Sequence, residues 1–382
     1  MEESYSRLDP YPFYRRMRES HPVHFNSDYG IYGVYRYQDV KKVLGDHRLF
    51  SSQFGKAFNP EGGPFSESLI NQDPPVHTKL RSIVTKAFTP KTVEKMEPGI
   101  TEICRSLISR IDQGEFDIVK AYTSPLPVTV IARMIGIPES DMERFKMWSD
   151  TVVGGSDTNY NDFPAIMKEM SSYFMNTVKE REKDPKDDLI SAVLAAEVDG
   201  EGLSELQIMG FLILLLVAGN ETTTNLISNA LYVFDQHPGT YELLRNDRSL
   251  VPQTIEEILR YRSPVQSIFR VAKEDVTLSG TTVKKGSVLQ PWIGSANHDE
   301  SVFSDPEEFH MYRRENRHIA FGEGIHYCLG APLARLESKI ALNLLMDNFE
   351  SIRVDRSKPL VTQESDIVFG FKQLPVSAVR SN

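Results

Sequence analysis

The sequence has little cysteine, no excess of positive charge and no apolar stretch at its start. Two cysteines in 382 residues are too few for a disulfide scaffold or a structural zinc site, which takes three or four Cys or His ligands. A formal net charge of −10 argues against a nucleic-acid surface, which needs clustered Lys and Arg. The first residues lack the basic and apolar regions of a signal peptide or membrane anchor. We therefore expect a soluble, cytoplasmic protein.

Hydrophobic residues make up 40% of the chain and charged residues 25%, which is ordinary for a globular protein. Helical periodicity dominates residues 74–259, whereas 23–25 and 31–35 form a predicted hairpin. Strand and turn composition returns at 276–290 and 367–376. The sequence predicts a mainly α protein with minor β, in which a large helical part and a small β-rich part form a single domain over residues 1–382.

The most informative segment is residues 321–330, Phe-Gly-Glu-Gly-Ile-His-Tyr-Cys-Leu-Gly. Its glycines, Gly322, Gly324 and Gly330, permit backbone conformations closed to residues with a Cβ, so that amide groups can turn toward the sulfur. A helix predicted over 329–346 places the positive end of its dipole beside Cys328. Such surroundings favour the thiolate over the thiol. The loop therefore indicates that Cys328 is a metal ligand.

Other interpretations of this loop meet specific obstacles. A dinucleotide-binding loop needs a third glycine where Tyr327 stands, and His326 with Cys328 supplies half of a zinc ligand set. A nucleophilic cysteine stays open because His326 is close in sequence, and so does a buried, inert cysteine. Cys104 lies in the amphipathic segment 100–111, far from Cys328, and is interpreted as a core residue with no disulfide.

A second unusual segment begins with residues 211–217, which are apolar on every side of a helix and so belong in a core. The run is too short for a membrane span, which takes about 20 residues. It is followed by Ala-Gly-Asn-Glu-Thr-Thr-Thr at 218–224. Gly219 allows close approach of a ligand or a second backbone, and a threonine hydroxyl can bond the carbonyl four residues back, loosening the helix. Glu221 and Thr222 are therefore predicted at a small-molecule site.

Two charged patterns complete the set. Glu257 and Arg260 are three residues apart on one helical face, a spacing that by itself indicates an exposed ion pair. His77 and Arg81 are four apart on the helix that follows Asp-Pro-Pro at 73–75, and Arg270 follows the segment 265–269 at a predicted strand. Taken one at a time, such residues are usually solvated.

Together the motifs resemble the cytochrome P450 monooxygenases over nearly the whole chain. The string at 321–330 resembles the haem-binding signature of that family, whose cysteine thiolate ligates the iron. Residues 218–222 resemble its oxygen-activation helix, Ala/Gly-Gly-x-Asp/Glu-Thr, and 257–260 its structural Glu-x-x-Arg pair. The compact length and the start of the chain are similar to the soluble prokaryotic members. The resemblance implies the cytochrome P450 fold.

The resemblance also implies site residues and cofactors. The cofactor would be haem b with dioxygen as co-substrate; Cys328 would be the axial iron ligand, while Thr222 would hydrogen-bond dioxygen and Glu221 would relay protons. Further haem-binding residues would be His77, Arg81, Ala218, Gly219, Arg270, Phe321, Gly322, His326 and Gly330. The substrate pocket would be lined by Ile70, Leu214, Val217, Ala218, Val265, Gln266, Ile268, Ile367 and Val368, with the loops at 60–71 and 154–163 as its mobile walls.

The implied reaction is hydroxylation or epoxidation of a small apolar substrate. No flavin or nicotinamide domain is fused to the chain, so electrons would come from a ferredoxin or flavodoxin-like donor with its reductase. Lys79, Lys86 and Arg335 are candidates for a basic docking patch. Two alternatives stay open: a peroxygenase, against which the Glu221–Thr222 pair argues, and a haem protein that senses a gas or an apolar ligand.

Overall fold

The computed structural model describes residues 6–54, 64–153, 163–197 and 200–381. In these ranges the helices are α1 (Tyr11–Ser20), α2 (Tyr37–Gly45), α3 (Val76–Thr85), α4 (Pro90–Glu94), α5 (Glu97–Ile108), α6 (Pro125–Met134), α7 (Met142–Val153), α8 (Phe163–Lys183), α9 (Leu189–Leu194), α10 (Glu205–Gln236), α11 (Thr240–Asn246), α12 (Val251–Tyr261), α13 (Ile293–Ala296) and α14 (Ala331–Asn348). The strands are β1 (Val23–Asn26), β2 (Ile31–Val34), β3 (Phe50–Ser51), β4 (Gly114–Asp117), β5 (Arg270–Ala272), β6 (Val276–Leu278), β7 (Thr281–Val283), β8 (Val288–Pro291), β9 (Phe349–Val354), β10 (Val361–Thr362), β11 (Phe371–Gln373) and β12 (Pro375–Arg380).

The predicted fold class is confirmed, since the chain is mainly helical with small sheets. The predicted hairpin is the antiparallel pair β1–β2. The helix after Cys328 begins at Ala331, two residues later than predicted, with Pro332 in its first turn. Proline suits that position because its missing N–H would have no partner there. Of the two predicted mobile walls, residues 154–162 and residues 60–63 lie outside the described residues.

The long helix α10 is the centre of the helical part. A capping box fixes its start: the Ser204 hydroxyl accepts from the Gln207 amide at 3.3 Å, and the Gln207 side chain accepts from the Ser204 amide at 3.0 Å. By length and composition alone α10 passes for a membrane span, yet more than half of its most apolar window is buried inside the protein. It packs against α6, α7, α12 and α14. The prediction of a core helix is therefore confirmed.

The small sheets tie distant parts of the chain together. One sheet has the order β1-β2-β8-β5-β3, in which β2 and β8 run parallel. Another has the order β4-β12-β9. Strand β12 therefore lies between β4, which is far away in sequence, and β9, which is close in sequence. Arg270 is the first residue of β5 in the first sheet. The short antiparallel pair β10–β11 encloses residues 363–370, which contact α10.

Candidate active site

The cysteine loop is a tight turn between two packed elements. Gly322 and Gly324 have φ of +77° and +70°, which favours glycine. A Cβ on Gly324 would meet the Gly45 backbone at 2.9 Å, so the end of α2 presses directly on the loop. Gly330 differs from the prediction: its φ is −82° at the N-cap of α14, and a Cβ there would meet open space. Two of the three glycines are therefore required by backbone geometry.

The Cys328 sulfur faces a cavity and is surrounded by donors. The Cys328 amide donates to the Phe321 carbonyl at 2.8 Å, which closes the turn. Burial raises the pKa of the Cys328 thiol, while the amides of Gly330 and Ala331 and the charge of Arg81 act in the opposite direction. These groups stabilise a thiolate, and a bound metal ion deprotonates a coordinating thiol outright.

The opposite wall of this cavity is α10. Ala218, Gly219, Thr222 and Thr223 line it together with Cys328. The Thr222 hydroxyl donates to the Ala218 carbonyl at 2.7 Å, which is the four-residue bond that the sequence predicted. The hydroxyl oxygen keeps its lone pairs as acceptors toward the cavity.

Gly219 lines the cavity and also packs closely against α6. A Cβ at this position would meet the Ile131 side chain at 2.8 Å. A side chain of α6 therefore makes one close approach that glycine permits at this position.

Glu221 directly precedes Thr222 on α10 and lies outside the cavity lining. Its Oε1 accepts from the Asn225 side-chain amide at 2.9 Å and from the Gln363 side-chain amide. Gln363 follows β10 and is 142 positions away in the chain, so sequence reasoning did not identify it. The predicted acid and alcohol are adjacent on the helix, with the acid held by the segment after β10.

A group of cationic and donor side chains lies beside the cysteine loop. Arg81, Arg270 and His326 line the cavity, and the His77 and His326 rings are 4.2 Å apart. Arg81 donates to the Tyr327 carbonyl at 2.7 Å. The structure therefore brings together four of the residues that the sequence predicted to bind haem.

Two of these residues have unmet bonding capacity. His77 is buried, and neither ring nitrogen has a hydrogen-bond partner among the described residues; burial lowers the pKa of His77 to about 4. Arg270 is 4% exposed and donates to the adjacent Phe269 carbonyl, and burial lowers its pKa to about 10. Buried donors and charges of this kind require an anionic or accepting partner. The residues present fit the two propionates of a haem.

Glu257 and Arg260 form a buried pair, unlike the exposed pair that their spacing alone indicates. Both are 0% exposed, with Nη2–Oε1 at 2.8 Å and Nε–Oε2 at 2.9 Å. Arg313 and Asn316 also donate to the Glu257 carboxylate, each at 3.1 Å to Oε2. The His310 backbone N–H donates to Oε1 at 2.9 Å, so the carboxylate is shared by two guanidinium groups, a side-chain amide and a backbone amide.

The same pair organises the segment that leads to the cysteine loop. Arg260 donates to the carbonyls of Asn297 at 3.0 Å and Pro306 at 2.7 Å. The Asn297 side chain in turn accepts from the Ile319 amide at 2.8 Å, two residues before Phe321. This network holds the backbone from 297 to 319 in place.

The predicted pocket residues divide into two groups. Ile70, Leu214, Ala218, Val265 and Ile268 line the cavity. The four that lie away from the lining are Val217, Gln266, Ile367 and Val368. Val217 packs instead against the helical core.

Gln266 is the clearest error among the pocket predictions. It is 2% exposed; the Tyr14 hydroxyl donates to its Oε1, and its Nε2 donates to the Ser263 carbonyl at 2.7 Å. The adjacent Val265 faces the cavity, and consecutive side chains of extended backbone point to opposite faces.

The tail residues pair through their backbone and lie away from the cavity lining. The Ile367 carbonyl accepts from the Gln266 amide at 2.7 Å, and Val368 forms an isolated antiparallel bridge with Val265. The Ile367 side chain is 41% exposed.

Sequence reasoning missed Glu337, which lines the cavity from α14. Its side chain is 2% exposed, its Oε2 has no partner among the described residues, and burial raises its pKa to about 8. A signal was present in the sequence, because Leu333, Glu337 and Ala341 recur every four residues and so share the buried face of α14.

Two of the three candidates for a basic docking patch are already paired. Lys79 forms an ion pair with Glu201. Arg335 binds the Glu256 carboxylate through two nitrogens at 2.7 and 2.8 Å. The side chain of Lys86 lies outside what the structure describes.

The chain is similar to known proteins in both sequence and structure. A family model described as cytochrome P450 matches residues 16–124 and 144–378. The chain is 43% identical over 376 residues to a putative cytochrome P450, YjiB, of Bacillus subtilis, covering 96% of this chain and 93% of that protein. It is 37% identical over 373 residues to the erythromycin C-12 hydroxylase of Saccharopolyspora erythraea, covering 95% and 92%. The crystal structure of CYP109E1 from Bacillus megaterium in complex with corticosterone superposes with a TM-score of 0.89 at 41% identity, covering 97% of this chain and 98% of that one.

Proposed function

The chain belongs to the cytochrome P450 family, and from that premise we propose that it oxygenates a steroid-sized apolar molecule with electrons from a separate ferredoxin or flavodoxin-like donor. Members are haem-iron monooxygenases that use dioxygen, so the oxidoreductase class follows from membership. The observation that supports the finer proposal is the cavity between Cys328 and α10, with its apolar distal lining.

The residues of the cysteine side would hold the cofactor, which we take to be haem b. Cys328 would ligate the iron, and the buried donors of His77 and Arg270, with Arg81 and His326, would bind the propionates. When bound, the haem supplies dioxygen activation, and thiolate ligation favours cleavage of the O–O bond. The chain's own contribution is to bind, orient and exclude water.

Thr222 and Glu221, on the α10 side of the cavity, are the proton-transfer residues in this proposal. The Thr222 hydroxyl gives its hydrogen to the Ala218 carbonyl, so its lone pairs accept a hydrogen bond from a water molecule or a substrate-side donor. Glu221 is the adjacent group that gains and loses a proton in contact with the segment after β10. The pair passes protons from solvent to the cavity.

The substrate class rests on the lining and on one relative. Leu69, Ile70, Leu214, Val265 and Ile268 are aliphatic. The charged lining residues belong to the cysteine loop, to α14 or to the propionate-binding set. An apolar wall of this kind binds a rigid hydrocarbon skeleton, and corticosterone, bound by CYP109E1, has such a skeleton. We place the reaction in the cytoplasm, where reductases and their small donors are available.

Titration of the ferric protein with corticosterone tests the substrate class. We expect a saturable shift of the Soret band as the steroid displaces water from the haem pocket. Ile268→Ala should weaken binding by up to about 50-fold, because it removes three apolar carbons and each contributes about 0.8 kcal/mol when fully buried. Ile367→Ala, outside the lining, is the matched control and should bind like the parent. If corticosterone does not shift the Soret band and erythromycin does, the substrate is a macrolide instead.

Thr222→Ala distinguishes a monooxygenase from the alternatives. Removing the hydroxyl should leave substrate binding intact but divert reductant consumption into hydrogen peroxide. Product per reductant should fall about 100-fold, the lower end of the range for a lost proton-transfer group. Product and peroxide are measured together under steady reductant supply. A peroxygenase would keep its peroxide-driven activity, and a ligand sensor has no product yield to lose.

Thr224→Val is the control for this experiment. The Thr224 hydroxyl donates to the Thr123 carbonyl at 3.0 Å, away from the cavity. Its removal should leave the ratio of product to peroxide unchanged. Full coupling in Thr222→Ala would contradict the role proposed for Thr222.

A further inference from the structure

One face of α10 carries three polar residues at intervals of four: Glu221, Asn225 and Asn229. All three meet the segment 363–370, which we call the tail loop. Asn229 donates to the Phe369 carbonyl at 3.0 Å, and Glu221 accepts from Gln363. Residues four apart share a helical face, so these contacts form one continuous polar seam beside the active site.

The tail loop is held firmly where it meets Glu221. The backbone N–H of Gln363 donates to the Gly370 carbonyl at 3.1 Å, and the backbone carbonyl of Gln363 accepts from the Arg7 guanidinium at 3.3 Å. A Cβ on Gly370 would overlap the Asn225 side chain. The two amides that donate to Glu221 are therefore both fixed by the tail loop, one by its backbone and the other by direct packing.

The position of the carboxyl group matters for proton delivery. Glu221 lies next to Thr222, which lines the cavity, but its Oε1 is bonded to Asn225 and Gln363. To act toward the cavity, the carboxyl group must give up these donors. Hydrogen bonds to a charged acceptor are among the stronger ones in proteins. Breaking them therefore makes up a large part of the free-energy cost of turning the carboxyl group toward the cavity.

We propose that Gln363 is a positioning residue for proton delivery: its side-chain amide holds the Glu221 carboxyl group in a resting orientation against the tail loop and sets how readily it turns toward the cavity. This inference rests on the proton-relay role assigned to Glu221 under the proposed function. The tail loop thereby controls the proton supply without touching the substrate.

A double-mutant cycle on the ferric protein tests the contact without turnover. Glu221→Ala, Gln363→Leu and the double variant are unfolded thermally, with Gln373→Met on the paired strand β11 as the matched control. We expect the double variant to lose less stability than the two single variants lose together, because the shared hydrogen bond is counted twice in that sum. Strictly additive losses would overturn the proposal.

The second measurement is the rate of single-turnover product formation in H₂O and D₂O. Gln363→Leu should accelerate the proton-dependent step about threefold and reduce the solvent isotope effect, whereas Gln373→Met should match the parent. A merely structural role would lower thermal stability and leave the isotope effect unchanged, which overturns the proposal.

Glu221→Gln separates the two levels of inference. If it slows the proton-dependent step while Gln363→Leu behaves like Gln373→Met, the positioning role is wrong and the proton-relay role stands. If Glu221→Gln leaves both the rate and the isotope effect at parental values, the relay role itself is wrong and the inference falls with it.

Discussion

Cys328→Ser is expected to abolish the thiolate-type spectrum of the reduced carbonyl complex and to reduce oxygenation by at least about 100-fold. Serine is nearly isosteric, so the hydrogen bond from the residue 328 amide to the Phe321 carbonyl should persist and the loop should keep its shape. A serine hydroxyl does not ionise as a thiol does, and without thiolate donation the O–O bond is no longer favoured to cleave. Absorption spectra of the reduced protein under carbon monoxide measure the first effect.

Cys104→Ser is the matched control, since it makes the same change at the other cysteine. Cys104 is 0% exposed on α5, and burial raises the pKa of its thiol to about 12. Its replacement should lower stability modestly and leave the spectrum unchanged. A thiolate spectrum that survives in Cys328→Ser but disappears in Cys104→Ser would exchange the roles of the two cysteines.

Glu257→Gln is expected to destabilise the protein by about 3–5 kcal/mol, the usual cost of breaking a buried ion pair from one side. The substitution leaves Arg260 and Arg313 buried without their shared carboxylate, to which both donate at about 3 Å. Because Arg260 also holds the Asn297 and Pro306 carbonyls, the cysteine loop should lose its support. Denaturant unfolding and haem content per chain measure the two effects.

Glu102→Gln is the control for the effect of removing one carboxylate from an ion pair. Glu102 pairs with Arg133 at 3.1 Å, but its side chain is 71% exposed. Its removal should change the free energy of unfolding by less than about 1 kcal/mol and leave the haem content unchanged. Equal losses in the two variants would mean that the Glu257 network does not hold the loop.

The parts of the site that could be predicted from sequence are those written within one turn or one loop. The glycines and Cys328 lie within ten residues, and Ala218 and Thr222 are one helical turn apart, so the bond between them follows from helix geometry. The Glu257–Arg260 spacing predicted a pair, but only the structure shows that it is buried. Burial depends on what the segment 297–319 does, and no local pattern encodes that.

The failures share a physical cause. Gln266 and Val265 are neighbours, and which of them faces the cavity depends on the strand direction set by partners far away, such as Tyr14 and Ile367. Gln363 reaches Glu221 only because β10 and β11 bring the tail loop to α10. Long-range contacts of this kind leave no trace in periodicity or spacing.

The placement of β12 between β4 and β9 has a consequence for how the protein is made. The ribosome synthesises β4 about 260 residues before its partner β12, and β9 also remains unpaired with β12 until that strand is made. Until residues 375–380 emerge, the nascent chain presents unpaired strand edges, which are prone to association with other chains. The yield of correctly folded protein from a cell therefore depends on the speed of translation and on the temperature of expression, as well as on the stability of the finished molecule.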